Sequence, residues 1–273
     1  SAINEYLCMR LAAAIKLPVP PVHLIQVPET VYIVQRYDRI VSGDSVKCLH
    51  QMDGCQLLGL GQDWKYERQG LVSLKRIVEA LRGLQLRAKD LLSFQRWVMF
   101  NYLIGNSDAH AKNISVLIGE TGYALAPFYD LLCVRVYGDD RLALYVGDED
   151  QYASIGAHSW EAFCGDCGFS VKPTLTLFRK MAQDVTKAWA TVTAQVTADY
   201  ALSQQELALI QSITEVIENH CSAAMSMTAK RTSWRKAIPP VLMAASRCWT
   251  MASGAISSTT ASTRYKRSRT ASR

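Results

Sequence analysis

The stretch from Trp97 to Asp130, WVMFNYLIGNSDAHAKNISVLIGETGYALAPFYD, constrains this chain more than any other. It opens as a mostly apolar helix, with Leu91, Phe94, Trp97, Val98 and Ile104 near helical spacing. Gly105-Asn106-Ser107-Asp108 then breaks the pattern with turn chemistry, and His110, Lys112 and Asn113 follow at once. Ile114 to Ile118 is a short β-like run, Gly119 to Gly122 a turn, and Tyr123-Ala124-Leu125 a returning strand. Pro127-Phe128-Tyr129-Asp130 closes the stretch. A buried helix delivers a polar loop, and a hairpin delivers a second carboxylate.

Asp108 and Asn113 are five residues apart, and Asp130 lies 22 beyond Asp108. Protein kinases use an Asp as acceptor of the substrate hydroxyl proton and an Asn five residues later on magnesium. A further Asp beyond a short hairpin also holds magnesium. The chemistry needs those types: a carboxylate accepts protons near neutral pH, and Mg²⁺ takes hard oxygen ligands. Taken singly, each residue has an ordinary explanation. Asp108 can bond to backbone in a turn, Asn113 can hold a left-handed turn, and Asp130 can cap the next segment. There is no His-Arg-Asp or Asp-Phe-Gly, and no Gly-x-Ser-x-Gly surrounds Ser107, which excludes a hydrolase elbow there.

The whole string is more specific. Asn106-Ser107-Asp108-Ala109-His110-Ala111-Lys112-Asn113 followed by Pro127-Phe128-Tyr129-Asp130 resembles the HipA family of bacterial serine/threonine kinase toxins. The resemblance runs from Asn4-Glu5-Tyr6 to about Thr191. On the way it takes in Val34-Gln35-Arg36-Tyr37-Asp38-Arg39, His50-Gln51, Cys55-Gln56 and Lys65-Tyr66-Glu67. It implies an α+β kinase-like fold, mainly the helical C-terminal lobe with a small β-hairpin remnant of the N-lobe. It implies an ATP- and Mg²⁺-dependent protein kinase, with Asp108 as base and Asn113 and Asp130 on metal. Gln35, Arg36, Tyr37, Gln51, His110, Lys112 and Tyr129 then join Asn113 and Asp130 on the nucleotide side. The family commonly has Glu where this chain has Gln35. Family toxins phosphorylate a glutamyl-tRNA synthetase and are neutralised by a small DNA-binding antitoxin of the HipB type, so both kinds of partner are implied.

No G-x-G-x-x-G and no Walker A stands in the sequence. In the family a phosphate-covering loop and a strand Lys precede the segment like Asn4-Glu5-Tyr6, and Glu5 occupies the helix analogous to kinase αC. A chain that starts without Met inside a helical pattern reads as a fragment, and one lacking half the phosphate clamp is expected to bind nucleotide poorly. Two rivals to a toxin-type kinase stay open. One is a catalytically dead, truncated kinase-like remnant acting as an interaction module. The other is a small-molecule kinase with the same loop.

Composition narrows the setting. No uninterrupted apolar run approaches the roughly 18 residues of a membrane span, and no signal peptide is visible. The eight cysteines are scattered, and without a secretory signal they read as reduced and cytoplasmic. Cys164-Gly165-Asp166-Cys167 is a lone C-x-x-C with no second pair at zinc spacing. The net charge of +6 misleads: ten of the 30 Lys/Arg lie beyond residue 225 and none of the 24 Asp/Glu does, so the first 225 residues carry −4. The body is therefore not an electrostatic nucleic-acid binder.

Helices are expected over 2–16, 50–60, 71–82, 88–104 and 174–196, with Ser159 capping a short one from Trp160. Ser203-Gln204-Gln205-Glu206 fits a capping box for a helix running to about Ala223. Val22–Val27 and Val31–Gln35 read as a hairpin, and Leu142–Val146 as a strand. The pattern fails at Ser226: sixteen of the last 48 residues are Ser or Thr. Residues 226–273 read either as an out-of-frame extension or as a basic interaction tail, disordered in both cases. Limited proteolysis is expected to trim the chain back to near Met225 while residues 1–225 survive; uniform resistance along the chain would refute this.

Overall fold

The apolar run before the loop becomes the central helix of the molecule. In the computed structural model, which describes residues 2–227 apart from Thr121, the chain enters through α1 (Ala2–Ala14) and two hairpins. The first hairpin is β1 (Val22–Gln26) with β2 (Thr30–Val34), and the second is β3 (Arg39–Ser42) with β4 (Ser45–Cys48). Next come β5 (His50–Asp53), the one-turn helix α2 (Gly54–Leu57), α3 (Leu74–Gly83) and α4 (Ala88–Ile104). After the polar loop, β6 (Ser115–Gly119) and β7 (Gly122–Leu125) extend β5 into an antiparallel sheet of order β5-β6-β7. A small pair, β8 (Arg141–Val146) and β9 (Glu149–Gln151), precedes α5 (Ala157–Cys167), α6 (Val171–Asp199) and α7 (Gln204–Ser226).

The end of α4 is buried on every side. Phe94, Trp97, Met99, Phe100, Leu103 and Ile104 are all inaccessible or nearly so. A helix apolar all round belongs inside, and α6 and α7 cover it while α1 packs on both of them. Phe94, Trp97 and Phe128 stack in sequence, with centroids 5.8 and 5.9 Å apart. That stack fixes the Pro127–Asp130 segment to the helix that launches the loop.

Most expected elements form. The 88–104 helix and the first hairpin lie where the spacing puts them, and Ser203 and Glu206 close the expected box on α7. Three readings change. Residues 50–60 begin as strand β5, because Gln51 and Asp53 pair with Leu117 and Ser115, and only one helical turn follows. The second hairpin went unread, although Ser42-Gly43-Asp44-Ser45 supplies turn residues and Gly43 adopts φ +57°. The helix assigned to Trp160 starts at Ala157; Ser159 sits in its first turn and accepts from the Gly156 N–H at 3.2 Å. α7 runs through Ser226, and Met227 packs on the core. The expectation for residues 228–273 lies outside the described residues. Among the described residues no helix is long and apolar enough to cross a membrane.

Gly105 ends α4 with φ +71°, its N–H bonding back to Asn101 and Tyr102. A Cβ there would stand 2.7 Å from Val216 Cγ1 and 3.2 Å from Arg135 Cβ. Left-handed backbone and overpacking each cost roughly 1–3 kcal/mol for a residue with a side chain. Gly105→Ala is therefore expected to lower stability by about 2–4 kcal/mol, read as a reduced urea midpoint. Gly83→Ala, where a Cβ meets nothing within 4 Å, serves as the near-neutral reference.

Candidate functional site

The loop from Gly105 to Asn113 is held from four sides. From α4, Asn101 fixes its own amide by donating to the Trp97 carbonyl at 2.8 Å, which turns its Oδ1 toward the loop. Asn106 answers with its NH₂ group, donating to Asn101 Oδ1 at 2.8 Å and to the Asp130 carbonyl at 3.2 Å. From β8, the Ala143 N–H bonds the Ser107 carbonyl at 2.8 Å. From the segment before α3, the Lys65 carbonyl accepts the Ala111 N–H at 3.1 Å, and the Tyr66 hydroxyl donates to Asp108 Oδ1 at 2.9 Å. From α2, Gly54 approaches so closely that a Cβ would meet the Ala111 carbonyl oxygen at 2.5 Å.

Asn113 and Asp130 meet directly. Asn113, 3% exposed, accepts the His110 N–H on Oδ1 at 3.0 Å and donates through Nδ2 to Asp130 Oδ2 in a very short contact. Asp130 adopts φ +58°, a left-handed conformation that costs a non-glycine residue roughly 1–2 kcal/mol and must be imposed by its surroundings. Asp108 is half-buried beside His110. Burial holds the His110 imidazole below its usual range, while the nearby charges of Asp108 and Asp130 push the other way. His110 Nδ1 is buried without a hydrogen-bond partner among the described residues.

The remaining expected residues divide. Tyr129 stacks on Tyr37 at 5.8 Å and donates to the Lys112 carbonyl at 2.6 Å. Tyr37 donates in turn to Gln51 Oε1 at 2.7 Å, so Tyr37, Gln51 and Tyr129 form one group next to Asp130. Lys112 is not a free cation: its ammonium sits 2.9 Å from Asp53 Oδ2, which raises its pKa. Arg36 is likewise engaged, in a two-pronged pair with Asp38 at 2.9 and 2.7 Å that lowers the Asp38 pKa. Gln35 is exposed, with its N–H on the Pro21 carbonyl.

Lys65-Tyr66-Glu67 reads in sequence as a solvated loop, and the structure corrects that. Tyr66 bonds Asp108, and Glu67 Oε2 accepts the Tyr145 N–H at 2.7 Å. Only the family resemblance of this tripeptide signalled it, because nothing in its local pattern links it to a residue 42 positions away. Burial raises the Glu5 carboxyl to about 7, with the charge of Asp130 adding to it. Among the described residues no Lys or Arg pairs with Glu5. Cys164 and Cys167 are buried free thiols.

Among the described residues no group of three or more His, Cys, Asp or Glu side chains is arranged to hold a metal ion. Asn113 and Asp130 still fit Mg²⁺, which usually takes one or two protein carboxylates and draws its other oxygens from phosphates and water. An amide oxygen that accepts one N–H retains a second lone pair for a cation.

A helix-delivered Asp–Asn loop facing a hairpin-delivered Asp, on a mixed helical body with small sheets, defines a kinase-like protein. Residues 1–189 match the family model described as the HipA-like C-terminal domain, and the chain belongs to that family. It is 36% identical over 201 residues to Y4mE of Sinorhizobium fredii, which carries a kinase name, covering 72% of this chain and 47% of that protein. It is 32% identical over 209 residues to the serine/threonine-protein kinase toxin HipA of Shewanella oneidensis, covering 70% of this chain and 48% of the toxin. Superposition on HipA of Shewanella oneidensis, solved with HipB and operator DNA, gives a TM-score of 0.70 at 26% identity, covering 81% of this chain and 55% of that one. The chain thus spans about half the length of the curated relatives it matches.

Glu67 supplies a test of the loop's support. Burial raises its carboxyl from 4.5 to about 7, with Asp166 and Asp148 adding to the rise and the Tyr145 N–H opposing it. The folded state therefore holds a proton that the unfolded chain has released, and stability falls as pH rises from about 4.5 to about 7. Glu67→Gln keeps the acceptor for Tyr145 without titrating. Between pH 5 and 7.5 the wild type is expected to lose on the order of 1–3 kcal/mol more than Glu67→Gln. Equal losses in urea titrations at both pH values would contradict the assignment.

Proposed function

We propose that this chain carries the phosphotransfer site of an ATP- and Mg²⁺-dependent serine/threonine protein kinase of the HipA toxin type. The observation that carries the reading is the direct contact between Asn113 and Asp130, in the same braced loop that presents Asp108. Asp108 accepts the proton of the acceptor hydroxyl, and its free oxygen is the one that receives it. Asn113 and Asp130 would hold the metal, which would supply charge neutralisation for the nucleotide phosphates. Tyr37, Gln51 and Tyr129 form the adjoining wall toward the nucleotide. Lys112 serves the loop through Asp53 rather than as a direct phosphate ligand. The acceptor is a protein side chain, by likeness an aminoacyl-tRNA synthetase, and a HipB-type antitoxin is the regulatory partner. The reading places the protein in the cytoplasm.

The rival reading is an interaction module without turnover. Activity of the gene product that carries this chain separates the two.

In that product, Asp108 and Asp130 are expected to fail differently. Asp108→Asn removes the proton acceptor and keeps the shape, so transfer drops roughly 10²–10⁴-fold while nucleotide still binds. Asp130→Asn removes a charged metal ligand, so Mg²⁺-dependent ATP affinity falls together with transfer. Calorimetric ATP titrations with and without Mg²⁺, beside a radiolabel transfer assay, read both. Full transfer activity in both variants would sink the kinase reading.

A further inference from the structure

Tyr66 is the one side chain outside the loop that touches Asp108 among the hydrogen bonds of the described residues, and it is held at several points. Its hydroxyl donates to Asp108 Oδ1 at 2.9 Å. Its ring is gripped by two cations, with the Lys65 ammonium 4.8 Å and the Arg68 guanidinium 4.1 Å from the centroid. His110 meets it edge-on at 5.5 Å. The backbone is pinned on both sides, by the Lys65 carbonyl on the Ala111 N–H and by the Tyr66 N–H on Gln69 Oε1 at 3.0 Å. A carboxylate on a short loop can turn about its own side-chain bonds, and a donor fixed to one oxygen removes that freedom.

We propose that Tyr66 is a positioning residue for phosphoryl transfer: its hydroxyl fixes Asp108 through Oδ1 and leaves Oδ2 to the acceptor hydroxyl. This rests on the kinase reading of Asp108. Cation–π contacts with Lys65 and Arg68 hold the ring in place, so the hydroxyl arrives at Asp108 without having to be ordered when the acceptor binds. The two oxygens of the carboxylate take different duties. One is spent on orientation, and the other lies within reach of the proton to be removed.

The test uses Tyr66→Phe in the gene product that carries this chain. Phenylalanine keeps the ring, its packing and its cation–π partners, and loses the hydroxyl alone. A hydrogen bond to a charged group corresponds to a loss of roughly 10- to 100-fold in kcat, with KM for ATP and for the acceptor unchanged and the melting midpoint kept. The decisive comparison is the double variant: in the Asp108→Asn background Tyr66→Phe is expected to cost nothing further, because residues that act as a unit are not additive. A packing role predicts wild-type kcat in Tyr66→Phe, and that result overturns the proposal. A loss that persists undiminished in the Asp108→Asn background also overturns it, since the hydroxyl would then act elsewhere. If Asp108→Asn itself transfers at the wild-type rate, the kinase reading fails and takes this inference with it; if Asp108→Asn loses transfer and Tyr66→Phe keeps the wild-type kcat, only this inference fails.

Discussion

One buried side-chain amide, Asn106, joins the parts on which everything else depends. Its NH₂ group spans the end of the central helix, through Asn101, and the backbone of Asp130. Asp130 lies 24 residues beyond Asn106, and this amide makes the helix end, the loop and the second carboxylate one object. Such a bond is modest in net energy, near 1 kcal/mol, but leaving either buried partner unsatisfied costs about 1–3 kcal/mol. The left-handed Asp130 needs that support, because its conformation is unfavourable on its own.

Around that amide the loop is braced by elements of every kind: backbone from β8, a carbonyl from residue 65, the close face of Gly54, and the aromatic stack through Phe128. The result is an acidic face, and two of the basic side chains assigned to it are engaged elsewhere, Lys112 by Asp53 and Arg36 by Asp38. In the proposed kinase this division is functional. The protein supplies hard oxygens and a proton acceptor in fixed places, and positive charge would come from the metal ion.

The loop and the central helix were legible in the sequence because each signal was local. Apolar spacing marks a buried helix, Gly105 marks its end, and Asp108, Asn113 and Asp130 stand at kinase spacing. The ordering of the family motifs carried the kinase-like fold. The second hairpin was also local, since Gly43-Asp44 is turn chemistry, yet its strands expose Val41 and Val46 and lack the half-buried alternation that usually marks a strand. β5 was missed for another reason. His50–Asp53 is a strand only because β6 lies beside it, and pairing partners 62 to 68 residues away leave no trace in a local window.

The sequence by itself determined the types and the order of the candidate site groups, because a carboxylate, an amide and a second carboxylate at fixed intervals are covalent facts. It also determined that a helix must deliver them, since Leu91 to Ile104 cannot bury its apolar side chains otherwise. Only the tertiary structure decided what each group is free to do. Lys112 reads as a phosphate ligand until Asp53 is folded against it, and Tyr66 reads as solvated until the loop closes on its hydroxyl. The physical reason is range. Propensity and periodicity act over a few residues, whereas charge pairing and hydrogen bonding depend on distance in space, which the packing of α1, α4, α6 and α7 sets.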